Sequence, residues 1–260
     1  MGKFDGILIC SDWDGTLFDG KCVPEKSVEA IKYFQQNGGE FTICSGRPPF
    51  YMKTKMDFVK PNTYAIALNG LVICDLETEE TVFESFSDDD AYPVALGVIN
   101  SGVPISKVAA CVKGKDGYIW MSPDEFKERI SELKGYPVYK ITFTAERESD
   151  GDILALRAEK LNTDKYKLMR SARGYLELIP SECTKGKAAL RLKKLLGARL
   201  LVCMGDYEND IPMFECADVS YATANAIQRV KDMATHVTSH VSDAAVASVI
   251  SDIEKNYLQS

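Results

Sequence analysis

The sequence has 260 residues, of which 45% are hydrophobic and 27% are charged, as in an ordinary soluble globular protein. This length allows one large domain or two smaller ones. The formal net charge of −7 argues against a nucleic-acid partner, because binding to a phosphate backbone needs a basic face. No apolar run is long enough to span a membrane, so we expect no membrane partner.

The eight cysteines form no CxxC pair and no metal-ligand spacing. Buried free thiols in a reducing cytosol explain them most simply, so we expect a cytoplasmic protein. The first residues lack the apolar region of a signal peptide. With only His236 and His240 present, the sequence disfavours a histidine-based metal site and a Ser-His-Asp triad.

The first predicted strand is the apolar run 6–10, which lacks alternation and therefore suits a buried strand of a parallel sheet. It stops at Asp12 and Asp14. Two carboxylates at the end of such a strand repel each other and need a cation or a shared proton, and Mg²⁺ is the natural candidate. The alternative is that Asp12 and Asp14 are turn residues and that Thr16 caps a helix.

A predicted helix over 24–36 and a strand over 41–44 complete a βαβ unit. The second strand ends in Ser45-Gly46-Arg47-Pro48-Pro49, where exposed N–H groups at a helix start would suit an anion. Ser45 alone is equally compatible with a simple N-cap. Because the strands are adjacent and parallel, we expect the carboxylates and this anion site at one edge of the sheet.

The character of the sequence changes after a strand over 64–68, the Asn69-Gly70 pair and a hairpin-like run over 71–74. Further predicted strands cover 82–86, 107–112, 118–121, 138–144, 167–170 and 175–179, with the loop 114–117 joining the second and third. Predicted helices cover 92–100, 123–134 and 152–161. Hairpins mixed with helices indicate an α+β module, so we assign 77–182 to a second domain inserted into the first.

The doubly wound pattern resumes at Thr184, which caps a helix predicted to turn Ala188, Leu192 and Leu195 inward. Lys185 lies in the first turn of this helix, where a cation is unfavourable unless an anion is nearby. We therefore predict that Lys185 binds the phosphate group. The remaining predicted elements are strands over 200–204, 218–222 and 235–241 and helices over 211–216 and 242–257. We therefore expect an α/β fold with a doubly wound parallel sheet in a core formed by 1–76 and 183–260.

Four motifs occur in order along this core: Asp12-x-Asp14-Gly15-Thr16, a strand ending in Ser45, Lys185 before a helix, and Gly205-Asp206-x-x-x-Asp210. Together they resemble the motifs of the haloacid dehalogenase superfamily. The position of the inserted module is similar to the large C2B cap of the Cof-like phosphatases, as are Asn69-Gly70 and the run 205–213. Four motifs with matching strand context are far more specific than one.

The resemblance implies that Asp12 is a nucleophile that forms an aspartyl-phosphate, and that Asp14 is its acid and base. It implies a Mg²⁺ site formed by Asp12, the backbone carbonyl of Asp14 and Asp206, with Asp210 as a further or indirect ligand. The implied phosphate-binding residues are Ser45, Gly46, Lys185, Asn209 and Thr16. The candidate substrate-side residues are Arg47, Asn69 and Gly70. Asn209 and Asp210 also suit a helix cap, and Arg47 a surface ion pair.

The implied function is a Mg²⁺-dependent phosphatase of small phosphorylated metabolites, such as sugar phosphates or phosphorylated cofactors, with 77–182 supplying specificity. A sugar phosphomutase would use the same two aspartates, and a non-catalytic metabolite-binding protein is a further alternative. A receiver-type signalling domain is disfavoured because receivers lack the inserted domain and the second aspartate. The sequence does not define the oligomeric state, and a monomer is compatible with it.

Overall fold

The computed structural model describes residues 2–114 and 117–258, so residues 115 and 116 of the predicted loop 114–117 lie outside the described residues. The chain divides into two compact units, one formed by the residues up to Phe83 and from Thr184 onwards, the other by Glu84–Cys183. Residues 77–83, which the sequence pattern assigned to the inserted module, therefore belong to the first unit, and Cys183, which it assigned to the core, belongs to the second.

The strands and helices of the described residues have the following bounds. The strands are β1 Ile7–Ser11, β2 Glu40–Ile43, β3 Ala65–Ala67, β4 Val72–Cys74, β5 Thr81–Glu84, β6 Ile105–Val112, β7 Tyr118–Met121, β8 Val138–Ala145, β9 Tyr166–Ala172, β10 Tyr175–Pro180, β11 Leu200–Gly205, β12 Val219–Ala222 and β13 His236–Val237. The helices are α1 Glu25–Gln36, α2 Pro49–Lys53, α3 Ala91–Ile99, α4 Pro123–Leu133, α5 Gly151–Ala158, α6 Lys185–Leu196, α7 Ile211–Cys216, α8 Gln228–Met233 and α9 Ala245–Asn256. Within the described part of the chain, no helix combines the length and apolarity needed to cross a membrane.

The first unit is organised around a parallel sheet with the strand order β13-β12-β11-β1-β2. Every residue of β1 is buried, as expected for a strand covered on both faces. On one face Leu8 and Cys10 pack with Ala188 of α6 and Met213 of α7, and the alternate residues Ile7 and Ile9 are buried on the other. The predicted doubly wound α/β core is confirmed.

A small sheet with the order β3-β4-β5 also belongs to the first unit. Its first two strands form the predicted antiparallel hairpin, in which Ala65 pairs with Cys74. β5 joins this small sheet at its edge, so the strand predicted over 82–86 begins in the first unit, and its residues from Glu84 onwards belong to the second. The Asn69-Gly70 pair forms the 3₁₀ turn between β3 and β4.

The second unit has an antiparallel sheet with the order β7-β6-β8-β10-β9. Its buried core lies between this sheet and α3, α4 and α5. Phe143 of β8 and Leu178 of β10 pack there with Phe126 of α4 and Leu154 of α5. The predicted α+β character of this segment is confirmed.

Three local predictions differ from the structure. Only His236–Val237 of the strand predicted over 235–241 pairs with β12, and α8 was not predicted. α8 has six residues and buries only Val230, which is too short a pattern to show helical periodicity. Leu195 is exposed, with Ala189 buried in α6 in addition to Ala188 and Leu192.

Candidate active site

The acidic residues that follow β1 and β11 meet at the carboxyl edge of the parallel sheet. Ser11 of β1 lies beside Met204 of β11, and the N–H of Asp12 donates to the carbonyl of Met204 over 3.0 Å. One carboxylate oxygen from each of Asp12, Asp206 and Asp210 lies within 4.8 Å of the others. Strand register therefore brings together side chains that are almost 200 residues apart in the chain.

Lys185 is the cation of this cluster. Its fully buried Nζ donates to Asp12 Oδ1 over 2.5 Å and to Asp210 Oδ1 over 2.7 Å. Thr184 caps α6 by accepting from the N–H of Lys187, so Lys185 is the first residue of the helix. The two carboxylates provide the anions that a cation at a helix N-terminus requires.

Asp210 connects the cluster to the loop that follows β11. Its Oδ2 accepts from the N–H groups of Asp206 and Tyr207, at 2.9 and 3.1 Å. Its Oδ1 accepts from Lys185, so each of its oxygens has a protein donor. Asp210 is the N-cap residue of α7, but its side chain does not make the predicted cap hydrogen bond and instead holds Lys185 and the turn after β11.

The cluster contains three carboxyl groups and one ammonium group. Burial raises the pKa of the Asp12 carboxyl well above its usual range, against the opposing effect of Lys185. Burial and the neighbouring Asp210 raise the pKa of Asp206 to about 7. For Lys185, burial lowers the pKa, but the charges of Asp12 and Asp210 outweigh it and the pKa is raised. Because burial and mutual repulsion raise these pKa values, a further cation would stabilise the ionised carboxylates.

The loop 12–16 is held to the sheet edge from two sides. The hydroxyl of Thr16 donates to Asp206 Oδ1 over 3.0 Å. The side-chain amide of Asn225 donates to the carbonyl of Gly15 over 2.7 Å and accepts from the N–H of Val241 over 3.0 Å. Asn225 was not among the residues predicted from the sequence. The available signal was its position just after β12, at the edge that carries the acidic residues.

Asp14 forms an ion pair with Arg47. Arg47 Nε donates to Asp14 Oδ2 over 2.9 Å and Nη2 donates to Oδ1 over 3.3 Å. The two side chains are 46% and 48% exposed, so Asp14 remains open to solvent and to a reactant. Trp13, between Asp12 and Asp14, is buried and stacks on Phe18 with ring centroids 5.3 Å apart.

The other predicted residues lie around the end of β2 and the turn after β3. Ser45 is buried, its Oγ accepts from the N–H of Arg47 over 3.1 Å, and its carbonyl accepts from the N–H of Asn69. A Cβ atom on Gly46 would lie 3.2 Å from the amide of Asn69. Asn209 donates to Asn69 Oδ1 over 3.1 Å. Asn69 thus connects the second and fourth sequence motifs.

Similarities to known proteins agree with this architecture. A sequence profile of the haloacid dehalogenase-like hydrolases matches residues 9–250. Phosphatase YwpJ of Bacillus subtilis is 27% identical over 284 residues, covering 94% of this chain and 98% of that protein. The 5-amino-6-(5-phospho-D-ribitylamino)uracil phosphatase YwtE of the same organism is 27% identical over 283 residues, covering 94% and 97%.

A solved structure shares the fold over nearly the whole chain. It is BT1666 of Bacteroides thetaiotaomicron, described among phosphatases of the haloalkanoate enzyme superfamily, with a TM-score of 0.76 and 17% identity. The similarity covers 96% of this chain and 95% of that one. With the profile match spanning most of the sequence and its motifs meeting at one sheet edge, this chain belongs to the haloacid dehalogenase-like hydrolases.

Proposed function

We propose that this protein is a Mg²⁺-dependent phosphatase of small phosphorylated metabolites, acting through a phosphorylated Asp12. The observation that carries the proposal is the contact of the buried Lys185 ammonium with Asp12, beside Asp206 and Asp210. Family membership and the phosphatase activities named for its relatives support the reaction class. The free cysteines fit a reducing compartment, so the proposal includes a cytoplasmic location.

Asp12 is the proposed nucleophile. In the first step, a carboxylate oxygen of Asp12 bonds to phosphorus as the bond between phosphorus and the leaving oxygen breaks. In the second step, a water oxygen attacks phosphorus, inorganic phosphate leaves and the Asp12 carboxylate is restored. Lys185 holds the carboxylate in place and offers positive charge to the phosphoryl oxygens as negative charge spreads over them.

Asp14 is the proposed acid and base. It gives a proton to the leaving oxygen in the first step and takes one from the attacking water in the second. Its exposed position next to the buried Asp12 suits this division of roles. The ion pair with Arg47 orients the Asp14 carboxyl, and it must loosen when Asp14 carries the proton.

The proposed phosphate-binding residues besides Lys185 are Ser45, the N–H of Gly46 and Asn209. Asn69 orients Asn209 through its side-chain oxygen, and its own N–H donates to the carbonyl of Ser45. The hydroxyl of Thr16 is already bound to Asp206. We therefore assign Thr16 to positioning Asp206 rather than to binding phosphate.

The donor set fits Mg²⁺. It consists of hard carboxylate oxygens, and one oxygen from each of three carboxylates already lies within 4.8 Å of the others. Asp12, Asp206 and the backbone carbonyl of Asp14 are the proposed ligands. Asp210 is the proposed orienting residue, because both of its oxygens accept protein hydrogen bonds. When bound, Mg²⁺ supplies positive charge to the carboxylates and to the phosphoryl group.

The test is phosphate release from a panel of phosphorylated sugars and cofactors, with Mg²⁺ or with EDTA. We expect EDTA to abolish release and Asp12→Asn to lower it by at least about a thousandfold. Asp164→Asn makes the same chemical change at an exposed position and should leave release unchanged. Mg²⁺ should also raise the melting temperature of the native protein but not that of Asp206→Asn.

Two outcomes would contradict the proposal. Full activity of Asp12→Asn would exclude the covalent route through this residue. Transfer of the phosphate to a second hydroxyl of the substrate, without release of inorganic phosphate, would instead support the mutase alternative.

A further inference from the structure

A cluster of cations and aromatic rings lies beside Asp14 in the first unit. Arg47, Tyr51 and Lys55 follow each other at intervals of four residues and are called here the Tyr51 cluster. The guanidinium carbon of Arg47 lies 4.8 Å from the centroid of the Tyr51 ring, and Lys55 Nζ lies 5.1 Å from the same centroid. One ring thus holds two cations, and the first of them also contacts Asp14.

Packing holds this cluster in place. Met52 of α2 and Val59 are buried and anchor the segment on either side of Lys55. Lys55 Nζ also lies 6.0 Å from the ring of Phe18, which stacks on Trp13 in the loop that carries Asp12 and Asp14. Ring contacts favour this arrangement of the two cations and do not neutralise their charges.

The charges of the cluster are not balanced. Arg47 pairs with Asp14, but Lys55 forms no ion pair with any residue in 2–114 or 117–258. Lys55 therefore adds a positive charge that no carboxylate of the described residues pairs with, in a chain whose net charge is −7. Like charges close to one ring repel each other, and an anion bound near them relieves this repulsion.

We infer that the Tyr51 cluster is a subsite for a second anionic group, a carboxylate or a second phosphate, on the leaving alcohol of the substrate. This inference rests on the proposed function, in which Asp14 protonates the leaving oxygen. Arg47 contacts Asp14 directly, so the remainder of the leaving alcohol passes next to this cluster. Lys55 is the specificity residue, because Arg47 is already engaged by Asp14. Phosphate esters of neutral alcohols leave the positive charge of Lys55 unmatched.

The test compares substrates that differ by one anionic group. One pair is sorbitol 6-phosphate and 6-phosphogluconate, in which a carboxylate replaces a CH₂OH group. The other pair is fructose 6-phosphate and fructose 1,6-bisphosphate, which tests a second phosphate as the source of the charge. We expect the native protein to favour at least one charged member by about tenfold or more in kcat/KM, the strength of a hydrogen bond to a charged group. The preference should fall as salt is raised from about 20 mM to about 200 mM.

Variants at two lysines of one segment locate the effect. Lys55→Met should lower kcat/KM for the charged member about tenfold more than for its neutral partner, and Lys55→Glu should reverse the preference. Lys53→Met removes the same charge two residues away, where Lys53 pairs with Glu79, and should leave the preference unchanged. If Lys53→Met also loses the preference for the charged substrate, the preference comes from the overall positive charge of this surface, and the subsite is overturned.

Failure of the subsite and failure of the phosphatase proposal, on which the subsite rests, give different results. Equal kcat/KM for both members of each pair overturns the subsite and leaves the phosphatase proposal intact. If no ester is hydrolysed, the phosphatase proposal fails, and calorimetry with Asp12→Asn then measures the subsite alone. Equal affinities for the neutral and charged members in that experiment overturn the subsite as well.

Discussion

At the scale of single residues, the burial of Lys185 is the most consequential feature of the site. An ammonium group without solvent contact is tolerated only because Asp12 and Asp210 both accept its hydrogen bonds. Its removal leaves two buried carboxylates facing Asp206 without a compensating charge. Lys185 is therefore expected to matter for stability as well as for the proposed chemistry.

Lys185→Met should lower the free energy of unfolding in EDTA by about 3 kcal/mol, because breaking a buried pair leaves its partner charge uncompensated. Lys194→Met is the matched control, since Lys194 lies on the exposed side of the same helix. Lys194→Met should lower the free energy of unfolding by less than about 1 kcal/mol. Urea titration measures both values, and equal costs would show that the buried pairing contributes nothing specific.

Thiol reactivity provides a second test at this scale. Of the eight free cysteines, only Cys22 is exposed. Burial raises the pKa of Cys44 and Cys203 well above the usual range and that of Cys111 to about 12. A raised pKa lowers the thiolate fraction, and burial also denies access to the reagent.

Brief treatment of the native protein with iodoacetamide at pH 8 should therefore label one site, Cys22. Mass spectrometry of the digest identifies the labelled position, and treatment in urea, which should label all eight cysteines, is the control. Rapid labelling of Cys203 or Cys44 in the native protein would mean that the sheet beneath the acidic cluster opens in solution.

At the scale of elements, the turn between β3 and β4 depends on a close approach to α6. Leu68, Asn69 and Gly70 all have positive φ, with Gly70 at 97°. A Cβ atom on Gly70 would overlap the carbonyl oxygen of Thr184, the N-cap of α6. This contact sets the turn that carries Asn69 against the helix that carries Lys185.

Gly70→Ala should lower the free energy of unfolding by more than about 2 kcal/mol, because backbone strain and overlap with Thr184 add together. Gly20→Ala is an unusually close control. Gly20 has a φ of 96°, but among the described residues, apart from its two neighbours in the chain, no atom lies within 4 Å of the place that a Cβ would occupy. This variant should therefore show the strain alone, about 1 kcal/mol. Thermal unfolding of both variants measures the difference, and equal losses would argue against a close contact at Thr184.

At the scale of the whole molecule, each of the two units has a hydrophobic core of its own. Phe126 is buried with residues of α3, α5 and the antiparallel sheet. Leu8 and Leu201 are buried with residues of α6, α7 and α8. These two clusters share no residue, so each unit has the means to keep its own structure when the other is weakened.

Phe126→Ala should lower the free energy of unfolding by about 3 to 5 kcal/mol, as expected for the loss of a buried aromatic ring. In hydrogen exchange, we expect amides in Glu84–Cys183 to lose protection while those of β1 and β11 keep it. Glu128→Ala, at an exposed position of the same helix, should change neither region. An equal loss of protection throughout the chain would instead show a single cooperative unit.

Much of this fold was predictable because its strands are short apolar runs that end abruptly. β1 and β11 are buried on both faces and are followed by acidic residues. The sequence therefore indicated both where these strands end and which side chains lie at the candidate site. Short elements were harder to predict from the sequence. α8 buries a single side chain, and β13 is two residues long, so neither has enough periodicity to show in the sequence.

The family, most of the strands and helices, and the residue types at the end of each central strand were predictable from the sequence. Which of these groups touch was not: Lys185 contacts Asp12 and Asp210, Asp14 contacts Arg47, and Asn225 contacts Gly15. The physical reason is that local propensities act over a few residues. Contacts between residues as far apart as Asp12 and Lys185 depend on strand register and on loop conformations that the packing of the whole unit selects.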